Sequence, residues 1–160
     1  MRILGIDPGY GRIGYGVIEK TGNNFKLIDF GVIETDKKAD LNARLLEIFD
    51  KLNNLIKDYN PDEAAVESLF FFKNVKTAIQ VGEARGVILL ALQKASIPIF
   101  EYTPYQVKQA ITGYGRAEKG QIQRMLKVVF NLKKTPTPDD AADALAIAFC
   151  HGNFQKYSNR

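Results

Sequence analysis

The chain has 160 residues, 46% of them apolar and 25% charged, and a net charge of +4. These proportions exclude a disordered tail, and no apolar run approaches the roughly 20 residues that a bilayer span needs. A single cysteine, Cys150, excludes an internal disulfide and a cysteine-clustered zinc site.

No apolar leader precedes the first strand, so the expected setting is a reducing cytoplasm, with no membrane association. Ile3 to Asp7 is a short apolar strand ending in an acid. Ile13 to Lys20 alternates at period two and Phe25 to Thr35 is again extended. Gly22-Asn23-Asn24 joins them, which predicts successive antiparallel hairpins. Asp40 is placed to cap a helix whose Leu41, Leu45, Ile48, Leu52, Leu55 and Ile56 recur at helical spacing, and Pro61-Asp62 ends it. Glu63 to Ser68 reads as a buried strand that brings Glu67 to its end. Asn74 to Ala95 is helical and Ile97 to Tyr102 extended. Thr103-Pro104 opens further helices to about Phe130, and Asp139 or Asp140 starts the last one. The order βββ-α-β-α-β-α-α predicts an α/β fold, residues 1–160 forming one domain. Its mixed sheet has an antiparallel half and a crossover half, with helices on both faces of its parallel part.

Gly9-Tyr10-Gly11-Arg12-Ile13-Gly14 has the G-x-G-x-x-G spacing of a dinucleotide loop, but the residues after it alternate as a strand does, where that loop needs a helix. These glycines are expected to permit positive φ in a tight turn and to let another chain or a phosphate approach the backbone. Gly5-Ile6-Asp7-Pro8-Gly9 is similar to the first phosphate loop of actin-like ATPases and sugar kinases. Those enzymes need a second such domain, for which 160 residues leave no room.

Asp7 and Glu67 each end an apolar strand, and Asp140-Ala141-Ala142-Asp143 sets two more carboxylates at i and i+3 on the first turn of a helix. Any one of these acids alone could be a cap, a surface ion pair or a partner of the helix dipole. Together they make an oxygen-only donor set of the kind that suits Mg²⁺ or Mn²⁺. Two such ions about 4 Å apart can activate water and stabilise the departing 3′ oxygen of a phosphodiester. Between Glu101 and Lys134 seven basic residues stand against two acids, a local excess of five positive charges. That excess suits a polyanion such as nucleic acid, or else a solvated helix surface. The chemistry points to a metal-dependent nuclease.

Several stretches, in this order, carry a resemblance: Ile3-Leu4-Gly5-Ile6-Asp7-Pro8-Gly9, Gly14-Tyr15-Gly16-Val17-Ile18, Glu67-Ser68-Leu69-Phe70, Gly82-Glu83-Ala84-Arg85-Gly86, Phe100-Glu101-Tyr102 with Gln106-Val107-Lys108-Gln109, Ala117-Glu118-Lys119, and Asp140 through Ala148. The chain resembles the RuvC Holliday-junction resolvases of the ribonuclease H-like superfamily over nearly its whole length. The resemblance implies a mixed five-stranded sheet and a homodimeric, Mg²⁺-dependent endonuclease of the bacterial cytoplasm that cuts four-way DNA junctions symmetrically. It implies two metal ions per site, held by Asp7, Glu67, Asp140 and Asp143 as the catalytic acids, and association with a RuvA–RuvB branch-migration motor. Asp140 fits the family pattern better than Asp139, which is expected to cap the helix. By the same resemblance Phe70 inserts at the junction centre, Lys108 and Lys119 lie near the scissile phosphate, and helix 74–95, with Gly82-x-x-x-Gly86, forms the dimer interface. Lys73, Lys76 and Arg116 are further DNA-contact candidates that a solvated surface would equally explain. A ribonuclease H-like enzyme acting on RNA–DNA hybrids and a non-catalytic junction-binding module are the alternatives.

Overall fold

Apolar alternation decides which way each strand faces. In the computed structural model, which describes residues 1–68 and 74–158 (155–158 as backbone alone), β1 (Arg2–Asp7) lies at the centre of a five-stranded sheet. It pairs antiparallel with β2 (Arg12–Thr21), which pairs antiparallel with β3 (Asn24–Glu34) across a two-residue turn where Gly22 takes φ +60°. On its other side β1 runs parallel to β4 (Glu63–Glu67), and β4 runs parallel to β5 (Ile99–Tyr102). The sheet order is β3-β2-β1-β4-β5.

Period-two alternation splits the core in two. Leu4, Ile6, Val17, Ala64 and Val66 face one side, under α1 (Leu41–Tyr59) and α2 (Val75–Lys94). Ile3, Ile18 and Ala65 face the other, under α3 (Pro104–Thr112), α4 (Lys119–Val129) and α5 (Asp139–Ser158). Helices thus cover both faces, as expected. Three helices follow β5, one more than the predicted order counts, because Gly113 at φ +74° ends α3 before α4 begins. The caps are local chemistry. Asp40 Oδ1 accepts from the Ala43 N–H at 2.9 Å, and Thr103 and Gln106 bond reciprocally at the start of α3.

From Ala144 to Cys150 α5 is apolar all round and sits directly on the sheet, where glycine makes room for it. A Cβ on Gly5 would lie 2.2 Å from the Ala144 carbonyl oxygen, one on Gly14 1.8 Å from that of Asp140, and one on Gly16 2.7 Å from Leu145 Cα. Gly5 pairs with Gly16, and Gly14 with Asp7, across β1 and β2. The expected positive-φ role is therefore wrong for Gly9, Gly11 and Gly14. Gly22 and Gly113 are the positive-φ glycines among the described residues. Gly14 instead serves close helix approach. Farther along α5, His151 is buried between Tyr102 and Glu63, at 2.7 Å from each. A carboxylate can only accept, so Nε2–H donates to Glu63 and Nδ1 accepts from the Tyr102 hydroxyl. Burial keeps the imidazole pKa below its usual value.

Candidate active site

Asp7 and Glu67 end adjacent parallel strands one step beyond the Ile6–Val66 pair. Alternation turns both side chains to the α5 face, since Ile6 and Val66 point the other way. The first turn of α5 then arrives over Gly14, the β2 partner of Asp7, and carries Asp140 and Asp143 in. Four acids expected from sequence to act together are brought to one end of one sheet face.

Their electrostatics show the crowding. Burial first, then Glu67, Asp143 and Asp140 in that order, push the Asp7 pKa up to about 8, against the pull of Lys119. Burial and Asp143 push Glu67 up to about 7, and Lys108 opposes them. Asp143 is raised as well, mainly by burial, and Lys119 works against that rise. Among the described residues no three His, Cys, Asp or Glu side chains close in tightly enough to enclose an ion. The donor set is nevertheless all oxygen, which fits a hard divalent cation.

Two lysines approach the cluster. Lys119 Nζ lies 3.2 Å from Asp143 Oδ2 and 3.2 Å from Asp139 Oδ2. Lys108, on α3, acts on Glu67. Asp139 is the first residue of α5 rather than its cap, and it turns outward to Lys119 and to the Gln123 amide at 2.9 Å. The expected cap is thus corrected: cis Pro138 precedes the helix, and its carbonyl accepts from the Ala141 and Ala142 N–H groups. Asp140 takes the inward position, within 3.6 Å of Arg12 and acting on Asp7. Lys76 and Arg116 are exposed on the first turn of α2 and between α3 and α4, and neither contacts the acids. Phe70 and Lys73 lie outside the described residues.

Sequence reasoning missed two arginines here. Arg12, inside the glycine-rich stretch, pairs with Glu34 at 2.7 Å and reaches toward Asp140. Arg85 of α2 pairs with Glu101 at 2.6 Å and sends its Nε to the Glu67 carbonyl at 3.5 Å, bracing the end of β4 from behind. Arg85 and Glu101 both stand in the motifs that carry the resemblance, but nothing in their spacing links them.

A mixed sheet with acids on the adjacent ends of two parallel strands, completed by a helix laid across one face, defines the ribonuclease H-like class. Residues 3–151 match the family model described as Crossover junction endodeoxyribonuclease RuvC, and the chain belongs to the RuvC family. It is 73% identical to a crossover junction endodeoxyribonuclease RuvC of Petrotoga mobilis over 156 residues, 98% of this chain and 96% of that relative. A structure of Thermus thermophilus RuvC in complex with a Holliday junction substrate superposes with a TM-score of 0.89 at 32% identity, covering 98% of this chain and 96% of that one. The yeast mitochondrial Holliday junction resolvase shares the fold at 15% identity and a TM-score of 0.69, over 96% of this chain and 78% of its own.

Proposed function

We propose that this chain resolves four-way DNA junctions by hydrolysing one phosphodiester in each of two symmetric strands. Water adds to phosphorus, the P–O3′ bond breaks, and the 3′ oxygen leaves as a hydroxyl. The observation that carries this reading is the convergence of Asp7, Glu67, Asp140 and Asp143 on one sheet face, where burial first and then the neighbouring acids raise the Asp7 pKa to about 8. These four side chains would hold Mg²⁺, two ions per site, with Mn²⁺ as a substitute. Bound there, the ions supply Lewis acidity toward water and the phosphate oxygens. Lys119 and Lys108 bring positive charge to the rim, where a phosphate can replace the carboxylates as their partner. Phe70, three residues beyond Glu67, stacks on bases at the crossover and offsets the cost of opening them.

A junction with two-fold symmetry suits a two-fold dimer. Val75, Ile79, Gly86 and Leu90 are exposed along one face of α2, opposite the buried Val81, Ala84, Ile88 and Leu92. A Cβ on Gly86 would meet nothing within 4 Å. That bare apolar stripe supports dimerisation through α2. Work beside a RuvA–RuvB motor in the bacterial cytoplasm belongs to the same reading. Among the described residues no helix is long and apolar enough to cross a membrane. The test is cleavage of a labelled four-way junction against an RNA–DNA hybrid, each with Mg²⁺ and with Ca²⁺. Paired cuts in the junction with Mg²⁺ alone are expected. Preferential cutting of the hybrid, or junction binding without cutting, overturns the reading.

A further inference from the structure

Beside the acid cluster, the β1–β2 loop, the end of β3 and the start of α1 enclose a cleft of about 420 Å³. Tyr10, Arg12, Glu34, Lys37, Arg44 and Asp140 line it, so one wall belongs to the hydrolytic site. Arg12 is already engaged by Glu34. Arg44 is not.

The Arg44 guanidinium lies over the Tyr10 ring, 4.8 Å from its centroid, and its Nε donates to Thr35 Oγ1 at 2.8 Å. Thr35 is buried, and its hydroxyl hydrogen goes in turn to the Tyr10 carbonyl at 3.0 Å. Gly11 leaves the space, since a Cβ there would stand 2.9 Å from a terminal nitrogen of Arg44. Among the described residues no carboxylate forms an ion pair with it. Glu47 senses its charge weakly, but the two oxygens of Glu47 are taken by Lys51 at 2.6 Å and the Asp36 N–H at 2.9 Å. A ring, a hydroxyl and a missing side chain thus fix a guanidinium in one orientation while its terminal nitrogens lack an acid. Such a preset fork matches two oxygens of a phosphate.

The geometry points to a second phosphate site, in which Arg44, with Lys37 at the rim, holds a non-scissile phosphodiester of the strand being cut and sets that strand's position over the acids. This rests on the nuclease reading above. A free anion would need no cleft running to Asp140; a nucleic-acid strand, with a charge at every nucleotide, does.

Junctions carrying single neutral methylphosphonates, placed one at a time around the cut, test it. For the unsubstituted protein we expect one non-scissile position where neutralisation weakens binding roughly tenfold, as for a charge-assisted contact. Arg44→Gln should bind the unmodified junction weaker by a similar factor, lose nothing further at that position, and keep the penalties elsewhere. Its log–log salt slope should flatten by about 0.9, and Arg44→Lys should recover part of the affinity. Lys37→Glu, on an exposed side chain that can be changed without unfolding the chain, should weaken binding of the unmodified junction and shrink the neutralisation penalty at that same position or its neighbour. Arg44→Gln with the unsubstituted pattern at every position overturns the phosphate site while leaving the nuclease reading intact. So does weakened binding that tracks a lowered melting temperature while Lys37→Glu is neutral. Unsubstituted protein that fails to bind junctions overturns both.

Discussion

Lys119 Nζ stands 3.2 Å from Asp143 Oδ2, a contact between α4 and α5 that closes across 24 residues of sequence. Burial works against the ammonium, but Asp143 and Asp139 outweigh it and hold the Lys119 pKa above its ordinary value. The lysine therefore stays charged beside the acids. Lys119→Ala and Lys108→Ala should each flatten the salt dependence of junction binding by about one log–log unit. A much larger fall in single-turnover cleavage than in binding assigns the lysine to the charge of the transition state. Unchanged slope and unchanged cleavage return it to the solvated surface.

Asp7→Asn, Glu67→Gln, Asp140→Asn and Asp143→Asn should each reduce cleavage to background while junction affinity holds or tightens, because an amide repels phosphate less than a carboxylate does. Asp139→Asn should act mildly, since that side chain faces Lys119 and Gln123. Cleavage by each variant beside gel-shift affinity decides the matter. A dead Asp139→Asn with an active Asp140→Asn would exchange their roles.

Metal-free protein should lose stability as the pH rises. Below about pH 4 Asp7 is protonated in both folded and unfolded chains. Above that the unfolded chain releases its proton, while the folded chain keeps it until about pH 8. The unfolded state then binds fewer protons, so stability falls across that window; Glu67 adds the same sign up to about pH 7. In the presence of EDTA, melting temperature should decline from pH 5 to pH 8, and Asp7→Asn should flatten the decline. Mg²⁺ should raise the melting temperature more at pH 8 than at pH 5, by roughly 2–4 °C per kcal/mol in a chain of this size. A profile that Asp7→Asn leaves unchanged counts against the crowded acid cluster; the total slope alone does not, because His151, whose pKa burial lowers, adds stability of the opposite sign as the pH passes its ordinary value.

Gly14→Ala should be among the more damaging substitutions. Its Cβ would sit 1.8 Å from the Asp140 carbonyl oxygen, a backbone atom that cannot swing away. Overpacking of this kind costs about 1–3 kcal/mol or more. The first turn of α5 must lift, taking Asp140 and Asp143 away from Asp7. A displacement of the order of 1 Å can cost about a hundredfold in rate. Cleavage falling far beyond the change in melting temperature is the expected result; wild-type cleavage would mean that α5 does not rest there.

The strand ends and paired acids were readable because each is a local pattern: Asp7 and Glu67 close apolar runs, and Asp140 and Asp143 open an alanine-rich helix. The cap at Asp40 was readable for the same reason, its side chain meeting the N–H of a residue three positions on. What escaped is tertiary. Gly14 looks like a turn glycine until the helix above it is known, and its neighbour Gly11 until Arg44 is seen beside it. Arg85 looks like one more helix cation until Glu101 is found 2.6 Å away on another element. The acid-x-x-acid spacing favours Asp140 over Asp139 but does not say what Asp139 does, and the α4 side chains that engage it arrive from 16 residues and more upstream.

The floor of glycines beneath α5 also bears on how the site can fail. At Gly5, Gly14 and Gly16 the helix meets the sheet backbone closely enough that a Cβ on any of them would collide with it, so at these points there is no side-chain cushion to absorb a change. Positions with nothing to ionise, donate or coordinate therefore act as the gauge that spaces the acids. Inactivating substitutions will gather at Gly5, Gly14 and Gly16 as surely as at the carboxylates. A survey of inactive variants should therefore find these glycines beside the carboxylates.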